Sequence, residues 1–339
     1  MTTTQKQSWL YEISFIRPIL LFLLVAYHAF APFCGAWDGD IVESNKIYEI
    51  LAYVFRAFRL EAFVFVSGYV FAYQVIYKHK FTSLKSLINS KFKRLIIPCW
   101  IFSILYVILF GNASWKVIQG VGHLWYLPCL FWCFIFCFPL FNSINIKPSY
   151  CIIGLTALSV ISFVPIPLQL NRAMYYMLFF YLGLIFWKNK EIINKYVTTW
   201  RTLYMWIAFF IIFTLSLICK EHTSILYESC DIYGKAIMLS VNNITKIILA
   251  FSGIASIYAT AVAYLKTHSL RGGVVRVGDY GYGVYIFHQF ILIGLYYHSN
   301  FPTLIGTYWL PWLGTLIALS SSILFTWLFR LTKLGRSLI

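Results

Sequence analysis

Residues 11–33 read YEISFIRPILLFLLVAYHAFAPF, an apolar run that Glu12, Ser14, Arg17 and His28 interrupt without ending. As a helix rising about 1.5 Å per residue it is long enough to cross a hydrocarbon core of about 30 Å. Comparable runs recur along the chain at 47–77, 94–111, 123–141, 150–166, 174–188, 202–219, 242–265, 277–298 and 308–330. Only short polar connectors separate most of them, so the pattern predicts an all-α integral membrane bundle of about ten transmembrane helices. The three long connectors expected are the stretches 34–46, 78–93 and 220–241.

Composition supports this reading. Across 339 residues the chain is 60% hydrophobic, 20% aromatic and 11% charged, with a mean hydropathy of +0.76, which excludes a water-soluble core. No linker, repeat or low-complexity tract divides it, so residues 1–339 are expected to form a single membrane domain. The first run continues as a full span and is expected to persist as a helix rather than leave as a signal peptide.

The net charge of +16 reports topology rather than a nucleic-acid partner, because the basic residues alternate between connectors instead of lining one face. Lys6, Lys78–Arg94, Lys147, Lys188–Arg201, Lys266–Arg276 and Arg330–Arg336 fall on one side, and Asp38, Asp40, Glu43, Glu221, Glu228 and Asp231 on the other. The positive-inside bias then places both termini in the cytoplasm of a multi-pass inner-membrane protein. Among the eight cysteines, Cys34 and Cys230 share the outer side and are the one candidate disulfide. Cys129, Cys133 and Cys137 share a helix face without nearby histidine or carboxylate, so no metal is expected.

Ionisable groups inside a span are expensive and ask for a reason. Arg17 and His28 are eleven residues apart, three turns plus some 20°, hence on one face about 16 Å apart, and are expected to look into one cavity. Arg17 could hold an anionic donor while His28 acts as base, or the two could be an anchor and a packing residue. Arg56 and Arg59, one turn apart, read as neighbours on one helix face, and with Glu61 they line an anion site or form a structural ion pair between helices. The run KFKR, Lys91–Arg94, could grip phosphates or merely mark a cytoplasmic loop. Asp279 and His288 are two and a half turns apart and do not share a face, so His288 reads as a packing histidine.

Five segments in order resemble the acyltransferase-3 family of bacterial membrane acyltransferases. They are RPILLFLLVAYH (17–28) with its Arg-x10-His pair, FRLEAFVFVSGYVFAY (58–73), KFKRLIIP (91–98), HLWYLP (123–128, with Trp125) and VGDYGYGVYIFH (277–288). The chain departs from the family pattern at Pro18, Glu61, Asp279 and Gly281. The resemblance implies transfer of an acyl group, usually acetyl from acetyl-CoA, to a hydroxyl of a cell-surface glycan or its lipid-linked precursor. Acyl-CoA is then a co-substrate, no cofactor is held permanently, and the partners are that donor, the saccharide and membrane lipid. On this reading Lys91, Lys93 and Arg94 bind the donor, Arg17 and Arg59 guide it inward, and His28 is base or acyl carrier, with Arg56, Glu61 and Trp125 in support. Some relatives carry a soluble esterase-like extension, and none is expected here. The competing reading is a transporter or flippase for a lipid-linked glycan, against which stands the lack of internal repeats. An assembly subunit would leave Arg17, Arg59 and His28 without a role.

Overall fold

The computed structural model describes residues 10–38, 40–111, 115–142, 147–270 and 272–339. Its helices are α1 Tyr11–Ala29, α2 Lys46–Arg56, α3 Arg59–Ala72, α4 Leu84–Lys91, α5 Ile97–Phe110, α6 Tyr126–Asn142, α7 Pro148–Val160 and α8 Leu170–Lys188, then α9 Lys190–Tyr196, α10 Thr199–Ser229, α11 Ile232–Thr267, α12 Gly272–Asp279, α13 Gly281–Tyr297, α14 Phe301–Leu331 and α15 Lys333–Leu338. Wider turns over Tyr73–Tyr77 and Phe92–Ile96 prolong α3 and join α4 to α5, and a tight turn over Gly122–Trp125 leads into α6. Of the residues that carry the topology argument, Lys6, Arg271 and the side chains of Arg276 and Glu228 lie outside the described residues.

Among the described residues six stretches are long and apolar enough to cross a membrane: Tyr11–Ala29, Leu84–Phe110, Gly122–Phe141, Thr199–His222, Ile232–Thr267 and Phe301–Leu331. The remaining expected spans are helical but shorter in α3 (14 residues), α7 (13) and α13 (17), while α8 (19) carries the polar Asn171 and Arg172 in its first turn. The chain is therefore a multi-pass all-α bundle, and the count of ten rests on the sequence pattern alone. Its outer surface is apolar: Ile108, Ile211 and Leu316 are 72%, 56% and 62% exposed, as side chains facing lipid should be.

α1 is the hub, packed against α2, α3, α11, α12, α13 and α14. α10 with α11, and α13 with α14, pair as neighbours in sequence, and α6 and α7 lean on α8. α3 and α8 cross almost backbone to backbone. A Cβ on Gly68 would run into the Phe180 carbonyl, and one on Gly183 into the Phe65 carbonyl, so only glycine permits this approach.

Four sequence readings need correction. The stretch 47–77 is not one helix: the chain breaks at Phe58 (φ −144°, ψ 4°), between α2 and α3. The cause is tertiary, because the Phe58 ring fills the notch that Gly253 leaves on α11 and stacks edge-on against Phe209. The connector 78–93 is largely α4, running on into α5. The connector 220–241 is helical too: α10 continues to Ser229, and Asp231 restarts the helix by accepting from the Gly234 N–H at 2.8 Å. Cys34 and Cys230 are free thiols, not a disulfide.

Candidate active site

A cavity of about 810 Å³ lies where α1, the end of α2, the start of α3, α8, α10 and α11 meet. Its walls include Tyr27 and His28 of α1, Arg56 of α2, Arg59 and Glu61 of α3, and His123 and Trp125 of the turn before α6. The break at Phe58 explains how two of these reach it. Had α2 continued, Arg56 and Arg59 would sit on one face of one helix; instead they stand on two helices, Arg56 exposed and Arg59 buried to 4% exposure. The Arg59 guanidinium lies over the Tyr27 ring, 3.8 Å from its centroid, while its Nε and Nη1 have no hydrogen-bond partner among the described residues. A buried guanidinium with open donors is costly in an apolar bundle and is poised to receive an anion or an oxyanion.

His28 is also buried, and its environment fixes its tautomer. Nδ1 lies 2.9 Å from the Leu24 carbonyl, which can only accept, so Nδ1 carries the proton. The same Nδ1 lies 3.2 Å from Nε2 of His288. His288 Nδ1 in turn donates to the Val284 carbonyl at 3.0 Å, which leaves its Nε2 a bare acceptor for the His28 N–H. Neutral His28 therefore presents the lone pair of Nε2, which has no hydrogen bond among the described residues, on a side chain that lines the cavity. Trp37, folded back because its N–H and that of Ala36 both bond the Ala31 carbonyl, sits over the imidazole at 5.8 Å between centroids.

His123 extends the row: its ring lies 4.9 Å from that of His288, its Nε2 donates to the Ile286 carbonyl at 3.0 Å, and its backbone N–H donates to Gln289 Oε1 at 2.9 Å. His288 is fully buried with both ring nitrogens bonded, as the reading of a satisfied packing histidine expected. Its spacing from Asp279 did exclude that pair, but its partner stands on another helix, at His28.

The other sequence candidates fall in three places. Glu61 accepts from Tyr175 Oη at 3.2 Å on the cavity wall, and the Trp125 indole lies beneath the Arg172 guanidinium at 4.0 Å. Arg17 does not line this cavity, contrary to the expectation of one shared chamber. It is half-buried against Gly278 of α12, with Asp279 and Arg94 as charged neighbours. The turns between it and His28 carry Leu20, Leu21 and Leu24, all packed into the core, and these separate the two ends. The KFKR run also divides: Lys93 and Arg94 are exposed, whereas Lys91 is buried, its ammonium 3.7 Å over the Phe134 ring with Phe71 and Phe81 alongside. Lys91 turns inward because the wide turn at Phe92–Ile96 shifts the register between it and its neighbours.

Four cavity residues escape the sequence reading: Arg172, Lys246, His123 and Asn243. Lys246 carried a usable signal, since a lysine inside the apolar stretch 242–265 is as expensive as His28. Asn243 is buried and bonds the Val160 carbonyl at 3.1 Å and Ser162 Oγ at 3.3 Å, tying α11 to the end of α7. Among the described residues no cluster of histidine, cysteine or carboxylate could hold a metal ion.

Neither the curated proteins nor the solved structures contain a match to the chain. The sequence profile of one family, described as an acyltransferase domain, matches residues 10–331, nearly the whole bundle that builds this cavity. On that match, and with all five motif segments inside it, the chain belongs to the acyltransferase-3 family.

Proposed function

We propose that the protein moves an acyl group, acetyl in the simplest case, from cytoplasmic acyl-CoA to a hydroxyl of a cell-surface glycan or its lipid-linked precursor. The observation that carries this reading is the lone pair of His28 Nε2 in a cavity that also holds the unbonded Arg59 donors. Orientation by the positive-inside bias puts both termini in the cytoplasm and the cavity toward the outer face. Arg17, with Lys93 and Arg94, then stands at the inner end for the donor's phosphates, and the donor's arm reaches His28, about 16 Å away, only when the packed Leu21 and Leu24 side chains between them move aside.

In the reaction, His28 Nε2 takes the proton of the acceptor hydroxyl as its oxygen forms a bond to the thioester carbonyl carbon. The carbonyl π electrons move onto oxygen, where Arg59 N–H groups face the developing charge. When the carbonyl re-forms, the C–S bond breaks, and the thiolate takes the proton back from the imidazolium. His288 Nε2, accepting from Nδ1–H, holds the ring and stabilises the imidazolium in transit.

The test is mass spectrometry of surface glycan from cells with and without the protein, read beside polymer export. Loss of ester-linked acyl groups with normal export is the expected result. Unchanged acylation with lost export would instead mark a transporter.

A further inference from the structure

The cavity walls carry Arg56, Arg59, Arg172, Lys220 and Lys246, against Glu61 as the lining carboxylate. Arg56, Arg59, Arg172 and Lys246 make no ion pair among the described residues, and Glu61 is engaged by Tyr175. The charges are graded: Arg56, Arg172 and Lys246 are exposed, while Arg59 is buried with two open donors. They stand on four helices, α2, α8, α11 and α3, and so surround the cavity rather than mark one patch. Between them the cavity is lined by the rings of Trp37, Trp125 and Tyr176, with Trp125 held between Arg172 and Tyr176, and by the side-chain amides of Asn171, Asn242 and Gln289. Aromatic faces suit the C–H faces of a pyranose ring, amides suit hydroxyls, and uncompensated cations suit an anion.

We propose that the acceptor seated in this cavity is an acidic saccharide, bearing a carboxylate or a phosphate, and that Arg172 and Lys246 select for its charge. This rests on the acyltransferase reading and names the acceptor class for the same site. The cations do not belong to the donor, whose phosphates on that reading sit at the opposite end, near Arg17. The charge acts in binding, so it raises acceptor affinity without taking part in the proton transfer at His28.

The experiment is equilibrium binding to the full-length protein in neutral detergent, read by the fluorescence of the cavity tryptophans. The probes are a glucuronic-acid-terminated disaccharide, glucose 1-phosphate, neutral cellobiose, inorganic phosphate and CoA. The two acidic sugars should bind about tenfold or more tighter than cellobiose, with the preference collapsing at high salt. Arg172→Gln and Lys246→Gln should each weaken the acidic sugars about fivefold while cellobiose and CoA are unaffected and the thermal midpoint is unchanged. Which acidic sugar binds better tells a uronate from a phosphate acceptor. Equal binding of acidic and neutral sugars overturns the proposal. So does weakened CoA binding in the two variants, or inorganic phosphate binding as tightly as glucose 1-phosphate. Because the readout is binding, acidic-sugar preference without acyl transfer would fail the enzymatic reading alone, and transfer to a neutral acceptor would fail this proposal alone.

Discussion

Arg59 is where function and stability should part company. The guanidinium is buried with Nε and Nη1 unpartnered, and its stacking on Tyr27 offsets only part of that penalty. Two unsatisfied buried N–H groups cost about 1–3 kcal/mol each, and a desolvated cation–π contact returns about 2 kcal/mol. Arg59→Met keeps an unbranched stem of similar reach and removes both the charge and the open donors. The variant should therefore be no less stable, with a gain of up to about 4 kcal/mol seen as a rise in the melting temperature of the detergent-purified protein. Turnover of acyl-CoA with acceptor should meanwhile fall by about 10²–10³, the loss expected for an oxyanion donor. Arg59→Lys, which restores the charge without the planar fork, should recover a minor part of the rate. A lower melting temperature with activity intact would refute the reasoning and make Arg59 a structural residue.

Further outcomes follow from the same geometry. His288→Asn removes an acceptor from His28 Nδ1 but leaves the Leu24 bond at 2.9 Å to hold the tautomer, so steady-state turnover should fall only about tenfold, the value of one hydrogen bond; a loss as deep as that of a His28 variant would make His288 the base. Gly183→Ala drives a methyl into the Phe65 carbonyl and should destabilise by about 1–3 kcal/mol in thermal unfolding, whereas Gly154→Ala, with nothing nearby, should be neutral. Burial pushes the Cys34 thiol up from its ordinary value, so it holds less thiolate at neutral pH than a free thiol would. A membrane-impermeant maleimide on intact cells should label it slowly at neutral pH and faster as pH rises; labelling only after permeabilisation would reverse the orientation.

The bundle was legible in the sequence because lipid imposes one rule, satisfied backbone inside apolar runs, that repeats every span. The site was half legible for a related reason. His28 and Arg59 were conspicuous as ionisable groups where they are expensive, and periodicity placed His28 on an inward face. Periodicity could not see the break at Phe58, which the notch at Gly253 on a distant helix produces, and so it put Arg56 and Arg59 on one face. It tested His288 against Asp279 on the same stretch, when its partner lies 260 residues away on α1. Arg172 passed unread because a single arginine near the start of a span looks like any flanking charge until Trp125 is found beneath it.

The central claim is that His28 Nε2 is the base for acyl transfer in this cavity. The direct measurement is the rate of acyl transfer from radiolabelled acetyl-CoA to surface glycan in membranes holding His28→Ala, at protein levels matched to the wild type. The account predicts a fall of about 10²–10⁴, with donor binding retained. A rate within a few-fold of wild type would contradict it.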